Sequence, residues 1–218
     1  MRYYLKATTR ELNASLGERH FTHFLKRNPL LLVSAFNTGN NTILVCPEFR
    51  FGNRLRADFV VLSGDSGGWD VHLVELEPVG SRIFLADGTE SRTLRQAKKQ
   101  VADWNQYITA HQQDFREELA ISIVHHNVFR SRYNYIHRAN GGAEITDVRY
   151  GFHSYYYIVV GRRGSLCEED VFRRSYYHEF NRCELVTYDR FLDEATRLDE
   201  GQRELDHHKR EWRAKHAV

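Results

Sequence analysis

Three carboxylates occupy two adjoining segments that are otherwise largely apolar. Asp58 lies in the segment RADFVVL, and Glu75 and Glu77 lie in WDVHLVELE, with a short turn rich in Gly, Ser and Asp between them. Both patterns are typical of β-strands, in which successive side chains point to opposite faces. Glu75 and Glu77 therefore share one face, about 7 Å apart. A carboxylate on an apolar face is costly unless a partner offsets its charge, and a divalent cation is the strongest candidate.

The same spacing has a second interpretation that involves no chemistry. Asp58 and Glu75 could form ion pairs with neighbouring arginines such as Arg54 and Arg56. Spacing alone leaves the ion-pair pattern and the metal site open.

A first helix is predicted over residues 10–28, where Pro29 ends it. Its apolar stripe is Phe21, Phe24 and Leu25, and Glu18 lies on that same stripe. Glu18 either reaches solvent from the edge of the helix or points into a site that the helix shares with the strands.

A second, longer helix is predicted from Thr89 or Ser91 to about residue 117. Gln100 flanks its apolar stripe, and a separate basic row comprises Arg92, Arg95 and Lys99. A basic row is usually a solvated face, but beside an acidic metal site it would suit a polyanionic substrate. Two further arginines, Arg162 and Arg163, follow the later apolar strand YYYIVV and could contact phosphates.

The order of these elements predicts an α/β fold with a mixed central sheet flanked by helices. Three strands with short turns form an antiparallel meander, and the later strands YYYIVV and ELVTY join the same sheet. We expect a single domain over residues 1–218, with a core at about residues 15–198 and a polar tail helix at residues 199–218.

Composition narrows the class of protein. The chain has 218 residues, of which 41% are hydrophobic and 28% charged, as in soluble globular domains. No apolar run approaches the roughly 20 residues that span a bilayer, so no membrane partner and a cytoplasmic location are expected. The three cysteines form no CxxC pair, which argues against a disulfide framework or a thiolate zinc site. The histidine pair in IVHHNVF lacks the other residues of a histidine-metal nuclease.

Several segments, in this order, resemble the Shedu-type nuclease domain, an antiphage branch of the restriction-endonuclease-like PD-(D/E)XK fold. They are GERHFTHFLKRNPLLL, FGNRLRADFVVL with WDVHLVELEP, IFLADGTESRTLRQAKKQVADWNQYI, IVVGRR and LVTYDRFL. The resemblance spans about residues 15–198, and the combination is far more specific than the D…ExE pattern alone.

The resemblance implies a metal-dependent DNA endonuclease or nickase that uses Mg²⁺ or Mn²⁺. By it, Asp58, Glu75 and the carbonyl of Leu76 hold the metal, and Glu18 and Gln100 support the site. Glu77 stands where this fold usually has a lysine, so it would act as a base or as a further ligand.

The glutamate at position 77 also suggests an alternative function. In that case the chain is a catalytically impaired module of the nuclease fold that binds nucleic acid or acts as a sensor or assembly partner. The resemblance further implies a homo-oligomer or a separate regulatory protein, because only about 15 residues precede the resembling region.

Overall fold

The computed structural model describes residues 3–14, 18–36, 42–64, 67–125, 129–130, 145–181 and 183–216. Within these ranges the helices are α1 (Tyr3–Asn13), α2 (Glu18–Arg27), α3 (Pro29–Phe36), α4 (Arg92–Ala110), α5 (Gln112–His125), α6 (Glu168–Asn181) and α7 (Asp189–His216). The strands are β1 (Thr42–Phe51), β2 (Leu55–Gly64), β3 (Gly68–Leu76), β4 (Phe129–Arg130), β5 (Gly151–Val159) and β6 (Cys183–Val186). No helix of the described part is both long enough and apolar enough to cross a bilayer.

The strands form one mixed sheet in the order β4-β1-β2-β3-β5-β6. Strands β1, β2 and β3 are an antiparallel meander, whereas β5 runs parallel to both β3 and β6. The carboxyl ends of β1, β3, β5 and β6 therefore meet the amino end of β2 at one edge of the sheet. This arrangement confirms the predicted mixed α/β fold.

Helices cover both faces of the sheet and divide the core into two clusters. On the face of the sheet that α4 covers, here called the α4 face, strand residues pack against the buried stripe of α4. The strand residues are Val60, Leu62, Val71 and Leu73, and the stripe is Leu94, Ala97, Val101, Trp104 and Ile108. On the opposite face, here called the α2 face, strand residues pack against α2, α3 and α7. The strand residues are Phe59, Val61, Val74 and Leu76, and those of α2 are Phe21, Phe24 and Leu25. Each fully buried Leu or Phe contributes about 1.5–3 kcal/mol relative to exposure, so the two stripes fix how α2 and α4 dock.

Helix α4 begins as predicted and ends earlier. The Ser91 side chain accepts a hydrogen bond from the amide of Leu94 (3.1 Å), as an N-cap does. The helix ends at Ala110, and α5 follows after His111, whose backbone leaves the helical region (φ −132°, ψ 44°). The predicted single helix to about residue 117 is therefore two helices. The break lets Phe115 of α5 pack edge-on against Phe49 of β1, with ring centroids 5.7 Å apart.

The predicted first helix over residues 10–28 is also two helices, α1 and α2. In the sequence, Gly17 precedes α2, and glycine is unfavourable inside a helical pattern. Pro29 does end α2, and it also opens α3, because the first position of a helix needs no amide hydrogen-bond donor. The polar and aromatic stretch RSRYNYIHRANGGAEITDVRYGFHS is interpreted from the sequence as an excursion from the core. Its residues 131–144 lie outside the described residues, and its last four residues belong to β5.

Candidate active site

Asp58 lies where β2 and β3 separate. The last pair of that ladder is Phe59 with Val74, and Asp58 comes one residue further towards the edge, where the same register would place it opposite Glu75. The Leu76 amide donates a hydrogen bond to Asp58 Oδ2 (2.8 Å) instead of to a strand carbonyl. Because the amide and carbonyl of a strand residue point to the same side, the Leu76 carbonyl is expected to face β2 as well.

The Asp58 carboxylate is buried and in an unfavourable environment for its charge. Asp58 is only 4% exposed, and this burial raises the pKa of its carboxyl group. The hydrogen bond from the Leu76 amide and the charge of Arg56 act to lower that pKa, but burial is the larger effect. Arg56 Nη2 lies 4.0 Å from Asp58 Oδ1, at the limit of an ion pair. The ion-pair interpretation therefore accounts for only part of the environment of Asp58, because its pKa would be lowered if that arginine dominated.

Glu75 and Glu77 follow the predicted alternation of β3. Val71 and Leu73 pack on the α4 face while Val74 and Leu76 pack on the α2 face, as the period of two requires. Glu75 is half-buried, and its Oε2 atom is buried. This carboxylate thus comes from the strand next to Asp58.

Glu77 lies just beyond the end of β3 and is anchored through its backbone. Its amide donates to the Val159 carbonyl (2.9 Å), and its carbonyl accepts a hydrogen bond from the Tyr188 hydroxyl (2.6 Å). These contacts tie Glu77 to the carboxyl ends of β5 and β6. Across the described ranges, no three side chains of the types His, Cys, Asp and Glu gather as a ready-made metal site.

Two residues, Gln100 and Glu18, are predicted to support the site. The structure describes the side chain of Gln100 but not that of Glu18. Gln100 Nε2 donates to the carbonyl of Arg56 (3.1 Å), so α4 holds the strand two residues before Asp58. Glu18 is the first residue of α2, but its side chain lies outside the described part of the chain. The contact between α2 and this edge that the structure does describe comes from the other end of the helix, at Lys26.

Sequence reasoning missed Glu48 in β1. The pairs Pro47–Phe59 and Phe49–Ala57 flank it, so Glu48 faces Asp58 across the β1–β2 ladder. Its backbone is left-handed (φ 50°), which is uncommon for a residue other than glycine and often found at functional sites. Pro47 was the available signal, because proline inside a strand marks an irregularity.

Lys26 of α2 binds this glutamate. Lys26 Nζ lies 2.5 Å from Glu48 Oε2, and their side chains are 23% and 52% exposed. The hydrogen bond from Lys26 lowers the pKa of Glu48 against the effect of burial, and the charges of Arg56 and His23 act in the same direction as the lysine. Glu48 is therefore an ionised carboxylate beside Asp58.

The predicted nucleic-acid contacts fall into two groups. Arg92, Arg95 and Lys99 are exposed on α4. Arg162 forms an ion pair with Asp189 (3.1 Å), and Arg163 forms one with Asp193 (2.5 Å). A phosphate at either of the latter would have to share the guanidinium with a carboxylate of α7.

Comparison with known proteins decides the family. The model of a family described as Shedu protein SduA, C-terminal, matches residues 15–192, more than three quarters of the chain. The chain belongs to this Shedu family. Membership indicates a role in antiphage defence. No curated protein matches the chain.

The Shedu match contains every predicted carboxylate of the site, from Glu18 in α2 to Glu77 after β3. Helix α1 and the part of α7 after residue 192 lie outside it, and they pack on each other. The buried carboxylate of Asp199 accepts hydrogen bonds from the amides of Tyr4 (3.0 Å) and Leu5 (2.9 Å) and so caps the first turn of α1.

Proposed function

We propose that this Shedu chain is a metal-dependent DNA nuclease of the restriction-endonuclease-like PD-(D/E)XK type, acting as an endonuclease or nickase in antiphage defence. The observation that carries the proposal is the buried Asp58 carboxylate, which lies one residue beyond the last β2–β3 pair, Phe59 with Val74, next to the strand that carries Glu75. Burial raises its pKa, which is the condition of a carboxylate that would gain from a cation.

The donor chemistry of this edge fits Mg²⁺ or Mn²⁺. Asp58, Glu75 and the Leu76 carbonyl would hold it, since Mg²⁺ takes hard oxygen ligands from one or two carboxylates, from water and from substrate phosphate. When bound, such an ion polarises a phosphodiester and makes its bound water more acidic.

The chain's own residues have separate roles in this proposal. The Leu76 amide fixes the orientation of the Asp58 carboxylate, and Gln100 holds the β2 backbone next to it. Glu77, fixed through its backbone to β5 and to Tyr188, would accept a proton from the attacking water or add an oxygen ligand. Glu18 would support the site from α2, and the exposed row Arg92, Arg95 and Lys99 would contact the DNA backbone.

The test is cleavage of plasmid DNA with Mg²⁺ or Mn²⁺, with and without EDTA. We expect wild type to cut or nick only with the metal and Asp58→Asn and Glu75→Gln to lose activity. Asp103→Asn, an exposed position on α4, is the matched control and should retain it. Cleavage by Asp58→Asn and Glu75→Gln at the rate of the control would overturn the assignment.

A second candidate follows from the position of Glu77, which adds negative charge where a phosphate would approach. In that case the chain is a nuclease-fold module that binds nucleic acid, or acts as a sensor or assembly partner, without cutting it. Its signature is DNA binding with a steep salt dependence and no metal-dependent cleavage.

A further inference from the structure

We propose that Lys26 is the residue that receives the DNA phosphate at this site, and that Glu48 positions it. The inference rests on the proposed nuclease function and extends it, because it assigns the substrate contact to α2. Neither residue belongs to the set that sequence reasoning picked out.

Geometry supports this assignment in two steps. The strand register sets Glu48 directly across from Asp58, between the pairs Pro47–Phe59 and Phe49–Ala57. The 2.5 Å contact between Lys26 Nζ and Glu48 Oε2 then brings an ammonium group to the same end of the ladder. The positive charge of Lys26 also acts on Asp58 itself, where it opposes the effect of burial.

Charge favours a cation here. Glu48 and Asp58 lie opposite each other across β1 and β2, so a phosphodiester that approaches this pair meets two carboxylates. A single divalent cation would offset these two charges, and a DNA phosphate would then add another. A neighbouring ammonium group reduces this repulsion without occupying a ligand position.

Lys26 has the capacity for this contact. A lysine ammonium has three N–H donors, and Glu48 accepts from one of them. With 23% of its side chain exposed, Lys26 is held against the protein but open on one side, so phosphate oxygens could bind the remaining donors. Arg56 is another cation close to Asp58, but it already lies 4.0 Å from that carboxylate.

The left-handed backbone of Glu48 agrees with a positioning role. A glutamate at φ 50° is disfavoured in the middle of a strand, and such conformations concentrate where a side chain must be aimed. In this conformation the Glu48 side chain pairs with Lys26.

The experiment compares Lys26→Gln and Lys26→Arg with Arg27→Gln, which removes a charge from the next, exposed residue of the same helix. The first measurement is the affinity of the full chain for a short duplex oligonucleotide in EDTA at several salt concentrations. We expect Lys26→Gln to lower the slope of log K against log salt by about 0.9, the value for one lost phosphate contact. Lys26→Arg should keep the wild-type slope, and Arg27→Gln should leave it unchanged.

The second measurement is cleavage with Mn²⁺, where we expect Lys26→Gln to be slower by about 100-fold, as when one preorganised donor is removed. A wild-type protein that does not cut would overturn the nuclease function, while the salt slope would still decide the phosphate contact. Equal slopes for Lys26→Gln and Arg27→Gln would overturn the role of Lys26, even if wild type cuts DNA and Lys26→Gln cuts slowly.

Discussion

We expect His72 to make the stability of this fold depend on pH between about pH 7 and pH 5. It lies in β3, three residues before Glu75, and only 8% of it is exposed. Its Nδ1 atom is 3.1 Å from the Tyr157 hydroxyl, and its ring stacks on Tyr155 with centroids 4.9 Å apart. Burial lowers the pKa of His72 from 6.5 to about 4, so the ring is neutral in the folded protein.

The sign and size of the effect follow from linkage. The unfolded chain binds a proton at this histidine below about pH 6.5, whereas the folded chain does so only below about pH 4. Its contribution to stability is therefore complete above the unfolded pKa and is lost as the pH falls towards the folded one. Between pH 7 and pH 5 these two values give a loss of about 2 kcal/mol from His72 alone.

Urea unfolding at pH 5, 6 and 7 measures this loss. We compare wild type with His72→Phe, which cannot titrate, and with His153→Phe, which replaces an exposed histidine of β5. Between pH 7 and pH 5, wild type and His153→Phe should lose about 2 kcal/mol more than His72→Phe. The titrating groups other than His72 and His153 are the same in all three proteins. If His72→Phe keeps the wild-type pH dependence, the neutral buried histidine is refuted.

Three further substitutions test the site and its supports. Asp58→Asn removes a buried charge but keeps an oxygen for the Leu76 amide. Without metal at pH 7 this substitution should therefore raise Tm by about 2–4 °C, as about 1 kcal/mol does in a domain of this size. Added Mn²⁺ should stabilise only wild type. A Tm lower than that of wild type without metal would contradict this expectation. Arg116, buried in α5, donates to three backbone carbonyls of residues 145–150, so Arg116→Met should cost about 3 kcal/mol in urea unfolding. Asp199→Ala should cost about 1 kcal/mol and speed hydrogen exchange at the amides of Tyr4 and Leu5, while Asp199→Asn should retain part of the cap.

Patterns within one element were predictable from the sequence. The stripe of α4 from Leu94 to Ile108 is buried as its spacing indicates, and Ser91 is the N-cap. The alternation in β3 correctly separates Val71 and Leu73 from Val74 and Leu76. These features depend on helix and strand periods, which the sequence carries locally.

Features that depend on pairing between distant segments were not predictable in this way. The break at His111 has no glycine or proline to mark it, and it serves the packing of α5 on β1. Lys26 and Glu48 are 22 positions apart, and only the docking of α2 on the sheet brings them into contact. The local patterns of the sequence give no signal for such a pair.

One irregularity of the sheet links its core to the proposed site. Cys46 and then Phe49 pack on the α4 face, and in β2 so do Ala57 and Val60, so both strands depart from the period of two at the same level. Glu48 and the residue opposite it, Asp58, lie inside this irregularity. The shift brings Phe49 against Phe115, which completes the hydrophobic core under α5.

The same shift has a cost that packing does not explain. A regular β1 would spare Glu48 its left-handed backbone, and a regular ladder would let a strand carbonyl accept the Leu76 amide in place of Asp58. The fold instead keeps a strained glutamate and a buried carboxylate whose pKa is raised, both at the edge where five strand ends meet. Packing accounts for the position of the shift, but it does not require acidic residues there. Carboxylates on both strands, with Lys26 bound to one of them, agree with the proposed site for a cation and a phosphate.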